Sequence, residues 1–251
     1  MPYERLERWL AAHRPAILDN LQPPASDDEL AALRARIGAE LPPSFVRLYR
    51  WRNGQRNLRV GGPFYGLAFL SIADVIDQWK SWKSVIEEDP GLNEDTFTSS
   101  AVPGVVKELY ANPLWIPFAY DWGGNHIGID LDPGPNGRVG QVINFGRDED
   151  AKYVLGQTVD DFLERIVAEL EAGNFVLAED TGEDFETKHP PTKHFLDSAR
   201  EWFAPVQPDP DEPAGTEVPP TAAPAAVSGA GWFRGVRRAL LDIIRRPERD
   251  A

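Results

Sequence analysis

The residues best equipped for chemistry lie near the middle of the chain: Asp121, His126, Asp130 and Asp132. Carboxylates and an imidazole at such spacing could hold a divalent cation. In a strand, however, positions 126, 130 and 132 share one parity and therefore one face. If Ile127, Ile129 and Leu131 form the opposite, core-facing row, the polar set is simply the solvent side of a sheet. A calcium loop starts correctly at Asp130 and Asp132, then fails. Gly134 stands where the third ligand belongs, and Gln141 where the bidentate acid belongs. No metal and no cofactor are expected. His126 could pair with Ser71 or Ser99 for nucleophilic chemistry, but no Gly-x-Ser-x-Gly elbow is present, nor a Walker loop or Gly-x-Gly-x-x-Gly. Neighbouring acids are commonplace in so acidic a chain, so they do not argue for paired-carboxylate catalysis. The expectation is a protein that is not an enzyme.

Binding chemistry is better represented. Trp122 sits between Asp121 and Gly123-Gly124, in a loop where a large ring is either packed away or exposed as an interface anchor. Asp148-Glu149-Asp150 follows a strand end and lies one loop from Asp121–Asn125 if the strands pair as a meander. That arrangement would make an acidic edge. The 251 residues carry 26 Lys+Arg against 40 Asp+Glu, a net charge of −14. Such a balance repels a phosphate backbone and steers basic partners, including a nuclease that would otherwise grip nucleic acid; it also serves mere solubility. The chain has no cysteine, no apolar run of ~20 residues and an opening unlike a signal peptide, so a cytoplasmic protein is expected.

The elements that must position these residues follow from periodicity. Tyr3–His13 reads as a helix. Ser26-Asp27-Asp28-Glu29 is a capping box opening a helix that stops at Gly38. Ser44–Trp51 is a short helix for which Asn53-Gly54 supplies the stop. Phe64–Leu70 reads as a strand and Ile72–Ile86 as a helix. Leu114–Phe118, His126–Leu131, Val139–Phe145 and Lys152–Leu155 are strands separated by short turns, which favours antiparallel pairing. Thr158–Glu171 and Thr192–Phe203 close the series as helices. The class is α+β, with helices flanking a single twisted, mainly antiparallel central sheet.

Composition changes near Ala204. Residues 205–229 form an acidic linker rich in proline and alanine, and 230–251 an Arg-rich amphipathic tail carrying six arginines against three acids. Trp232, Phe233, Arg237, Arg238, Leu240 and Ile244 are its candidate docking residues. The tail could meet an anionic membrane, a partner's groove or the acidic body before it. Residues 1–204 form the globular part.

An ordered set of short motifs carries a resemblance. Leu41-Pro42-Pro43-Ser44-Phe45-Val46-Arg47-Leu48-Tyr49-Arg50 is followed by Asn53-Gly54-Gln55. Then come Trp115-Ile116-Pro117-Phe118-Ala119, Gly123-Gly124-Asn125-His126, Ile129-Asp130-Leu131-Asp132-Pro133, Gly137 and Gly140-Gln141-Val142. Together they resemble the Smi/Knr cell-wall assembly regulator family of the SUKH superfamily, over about residues 30–170. The resemblance implies an α+β domain with one strongly twisted sheet and no catalytic residues. Many bacterial relatives are immunity proteins that neutralise a toxin, and fungal relatives act as scaffolds in cell-wall signalling. Asn125 departs from the pattern, where an acid is frequent. The expectation is a protein-binding domain of the immunity type that occludes a cognate toxin, with a recruited scaffold as the alternative. Trp122, Asn125, Asp130, Asp132, Arg147, Asp148 and Asp150 are its candidate contact residues.

Overall fold

A computed structural model of the chain describes residues 1–94, 97–177, 185–191 and 194–203. The linker 205–229 and the tail, with Trp232, Phe233, Arg237, Arg238, Leu240 and Ile244, lie outside the described residues.

Four helices come first: α1 (Pro2–His13), α2 (Pro15–Asn20), α3 (Asp27–Ile37) and α4 (Pro43–Trp51). They are followed by β1 (Ala68–Phe69), α5 (Ile72–Glu88), a 3-10 turn at Pro90–Asn93 and β2 (Ser99–Ser100). The central strands are β3 (Trp115–Tyr120), β4 (Asn125–Asp130) and β5 (Gln141–Gly146). Next come β6 (Ala151–Lys152), β7 (Val154–Gly156), α6 (Val159–Glu171), β8 (Val176–Leu177), β9 (Phe185–Glu186) and α7 (Phe195–Trp202). The main sheet has the order β1-β3-β4-β5-β7 and is antiparallel throughout, so the class is α+β. β2 and β6 pair in parallel beside it.

Local chemistry explains the helix starts. Ser26 accepts from the Glu29 amide at 3.2 Å while Glu29 accepts from the Ser26 amide at 2.8 Å, satisfying two orphan donors of α3 reciprocally. Ser71 and Asp74 repeat this capping box on α5. Gly38 ends α3 at φ 76°. Gly54 does something else than stop a helix. α4 already ends at Arg52, and a Cβ on Gly54 would lie 2.2 Å from the Ser71 amide nitrogen. Its lack of a side chain lets two backbone segments cross.

The sheet buries both faces. Ile116, Phe118, Ile127, Ile129 and Val142 join the main core with Leu6 and Leu10 of α1, Phe45 and Leu48 of α4, and Phe162 and Ile166 of α6. Phe118 meets Phe162 at 5.8 Å between ring centroids. Burying each such side chain contributes roughly 1.5–3 kcal/mol. The even-numbered residues of β4 face the other way, as their parity requires, yet they do not meet solvent. Trp82 of α5 crosses over His126 at 6.1 Å and over Tyr110 at 5.8 Å, closing that face. β3 tolerates Pro117 because the register slips between Pro117 and Ala119, where a bulge relieves the ladder of one donor.

Two expected strands are interrupted. Of Phe64–Leu70 only Ala68–Phe69 pairs with the sheet, because Tyr65 at φ 49° and Gly66 at φ 86° turn the chain. Lys152–Leu155 splits into β6 and β7, which serve different sheets.

Candidate functional site

Asp121 follows β3 directly and organises the loop it opens. Its Oδ1 accepts from the amides of Gly123 at 2.6 Å and Asn125 at 2.8 Å, and its Oδ2 from the Asn125 side chain at 2.7 Å. Across a gap, the His194 imidazole at the start of α7 approaches the same Oδ2 at 3.4 Å. Burial alone would push Asp121 up, but the hydrogen bonds from His194 and Asn125 outweigh it and hold the carboxyl below its usual range. The reciprocal effect raises His194, because Asp121 favours the imidazolium over its desolvation.

This bracing presents Trp122. The residue sits at φ 66°, a left-handed conformation disfavoured for a side chain of its size, and remains 43% exposed. Its ring lies 5.5 Å from Tyr120. It lines a cleft of about 130 Å³ together with Tyr65, Gly66, Leu67, Asp121, Phe185, Glu186, His194 and Phe195. Tyr65 stacks on Phe195 at 5.2 Å and meets Phe185 at the same distance, so aromatic rings form part of the walls beside the polar groups of Asp121, Glu186 and His194. Tyr65 and Trp122 are the two non-glycine residues with positive φ among the described residues, and both line this one cleft. Strained backbone concentrated at a surface cleft is characteristic of ligand-binding positions.

The seven candidate contact residues divide between the two ends of β4, about 17 Å apart at strand rise. At the Trp122 end stand Asn125, Arg147 and Asp148. Asn125 is buried, so its role as a contact residue is corrected: it ties loops together, receiving the Asp148 amide on Oδ1 at 2.8 Å. Arg147 turns its Nε to Asp148 at 2.7 Å, and its own amide donates to the Gly124 carbonyl at 3.0 Å. Asp148 is exposed and Asp150 half-buried where the chain enters β6. The expected meander therefore brings the 121–125 and 147–150 segments together.

At the far end, Asp130 is fully buried and is likewise corrected from a surface acid to an internal one. It accepts from Trp115 Nε1 at 3.1 Å, Gln141 Nε2 at 2.9 Å and the Asp132 amide at 2.9 Å. Burial pushes its pKa up to about 6 despite those donors. Asp132 pairs with Lys107 at 2.6 Å and accepts from Asn112 at 2.9 Å. Parity located both acids on the second face; what it could not reveal was that α5 and residues 97–114 cover that face.

The arrangement holds no catalytic device built on His126. The imidazole is stacked between Tyr120 at 5.0 Å and Phe145 at 5.5 Å, with Nε2 against Gln78 Oε1 at 3.1 Å. Burial drives its pKa down to about 4, so it is neutral at physiological pH. Ser71, its notional nucleophile, instead gives its hydroxyl to Asp74 at 2.5 Å. Among the described residues, no three His, Cys, Asp or Glu side chains gather as a metal site. Nor is any described helix long and apolar enough to cross a membrane. His194, Tyr65, Phe185 and Phe195 escape sequence reasoning because they meet Trp122 only through the fold; the Tyr65-Gly66 pair is the one local hint, as a turn signal.

Comparison with known proteins places this geometry in a family. The SMI1/KNR4 family (SUKH-1) model matches residues 24–165, more than half of the chain. The match includes Tyr65 and Trp122 and stops short of Phe185, His194 and Phe195. The cell wall assembly regulator SMI1 of Saccharomyces cerevisiae is 28% identical over 74% of this chain and 43% of its own length. A glucan synthesis regulatory protein of Neurospora crassa is 30% identical over 72% of this chain and 40% of its own. The cell wall biosynthesis/cell cycle regulator smi1 of Schizosaccharomyces pombe is 32% identical over 71% and 37%. The chain thus spans about two-fifths of the length of these relatives, which are named as regulators and not as enzymes. It belongs to the SMI1/KNR4 (SUKH-1) family.

Proposed function

We propose that this protein is a non-catalytic, protein-binding regulatory domain that acts by docking a partner at the Trp122 end of its sheet. The observation that carries the reading is Trp122 itself, held exposed in a strained conformation by a buried carboxylate. A left-handed backbone at a residue of this size costs the fold stability, whereas interfaces draw much of their affinity from exposed rings of this kind. The names of the fungal relatives support a regulatory role in which binding, rather than turnover, is the output.

Two forms of the reading differ in partner. In the first, the domain is a scaffold or regulator, and residues 230–251 recruit it to a membrane or a second protein. In the second, it occludes a cognate toxin, for which the net charge of −14 and the exposed Asp148 are the support, since they suit a basic target. Both forms operate in the cytoplasm. Coexpression with the protein encoded beside it tests the second form: growth rescue that Trp122→Ser abolishes supports it, and no rescue with any neighbouring toxin candidate removes it. Deleting residues 205–251 tests the first, which expects localisation to collapse while the globular part stays folded. Turnover of a small molecule by the purified chain would overturn both.

A further inference from the structure

We infer that the Trp122 cleft takes one large apolar side chain from a protein segment that carries lysine or arginine on either side of it; this rests on the protein-binding reading and names the partner's chemistry. The cleft volume of about 130 Å³ is close to that of apolar cavities, about 150 Å³, that accommodate a benzene ring. It therefore suits a leucine or a phenyl group. Its walls supply apolar surface from the rings of Tyr65, Phe185 and Phe195 and from Leu67, beside polar surface from Asp121, Glu186 and His194.

Charge decides what flanks that side chain. Glu186 and Asp121 both line the cleft, and Asp148 stands on the neighbouring loop. Asp197 and Glu149 both act electrostatically on His194. Three of the cations nearby are paired, His194 with Asp121, Arg147 with Asp148, and Arg200 with Glu149 and Asp197, while Lys188 is exposed two residues beyond Glu186. Among the described residues, these five carboxylates stand against His194, Arg147, Arg200 and Lys188, and the exposed part of Trp122 offers a further seat for an ammonium or guanidinium group. Acidic flanks would be repelled, and neutral flanks would forgo the attraction.

The test uses the full chain and a fluorescein-labelled peptide with one leucine between two lysine pairs in a Gly/Ser background, read by fluorescence polarisation. Replacing the leucine by alanine should weaken binding about tenfold or more, and replacing the lysines by glutamate should abolish it. Trp122→Ser should cost about tenfold or more. Glu186→Lys should weaken the lysine peptide and improve the glutamate one. Val139→Ser, at an exposed apolar residue outside the cleft, should change nothing. Equal binding by the leucine and alanine peptides, an unaffected Trp122→Ser, or no binding of the lysine peptide would each overturn the inference. A partner protein that still docks under those outcomes would leave the protein-binding reading standing without this one.

Discussion

At the residue scale, two buried groups pull the pH dependence of stability in opposite directions. His126 has a folded pKa of about 4 against 6.5, so the unfolded chain binds the extra proton between those values and stability falls as the pH drops through them. Asp130 has a folded pKa of about 6 against 3.8, so there the folded chain binds the extra proton and stability rises on acidification. Each displacement corresponds to roughly 3 kcal/mol at full extent, and the two nearly cancel between pH 6 and 4. Asp130→Asn removes one side of this balance. Urea unfolding should then show stability falling by roughly 2 kcal/mol more than in the parent chain between pH 6.5 and 4; an unchanged difference between the pH values would refute the assignment. Trp122 gives a second prediction. Replacing it with Asn, which tolerates positive φ, should leave stability unchanged or raise it by up to about 1 kcal/mol, while partner docking is lost. Thermal unfolding and a binding assay run side by side would check it, and a fall in stability beyond about 1 kcal/mol would show that the ring is structural.

At the scale of elements, β4 is the strand on which the site depends, because its first residue braces the Trp122 loop and its last is the buried acid. Gly128, midway along it, leaves no room for a side chain: a Cβ there would lie 2.3 Å from the Ile116 carbonyl oxygen and 2.7 Å from Phe145 Cε1. Gly128→Ala should therefore cost about 3 kcal/mol by forcing β3 and Phe145 aside. A denaturation midpoint equal to the parent's would contradict that packing. The helices on the main-core face were readable from their apolar stripes and, for α3, its capping box, since both are local. The cover on the second face was not. Trp82 shares its helix with Trp79 at ordinary amphipathic spacing, and nothing in that spacing says that Trp79 joins the main core while Trp82 closes over His126.

At the scale of the whole molecule, the domain reaches beyond the residues that match its family. Phe185 packs on Trp9 at 4.9 Å, and Phe195 on Tyr65 at 5.2 Å; both belong to the main core with Leu196 and Ala199. A chain ended after residue 177 would lose these side chains and uncover Trp9 and Tyr65. It should lose several kcal/mol of stability, as the removal of three large core residues demands, and bind a hydrophobic dye. Cooperative unfolding at the parent midpoint would show instead that β9 and α7 are accessory. The same truncation removes one wall of the cleft, so stability and docking are coupled through this segment.

The sequence by itself determined the class, the antiparallel order of the central strands, the capping box of α3 and the family, because each depends on spacing within a short stretch or on an ordered set of motifs. It also singled out Trp122 from the four-residue loop 121–124. Only the tertiary structure decided that Asn125 and Asp130 are internal, that Arg147 is turned onto Asp148, and that His194 reaches Asp121 from the far end of the domain. Periodicity reports which residues share a face, but whether that face meets water depends on what the rest of the chain lays over it, and no local pattern encodes that.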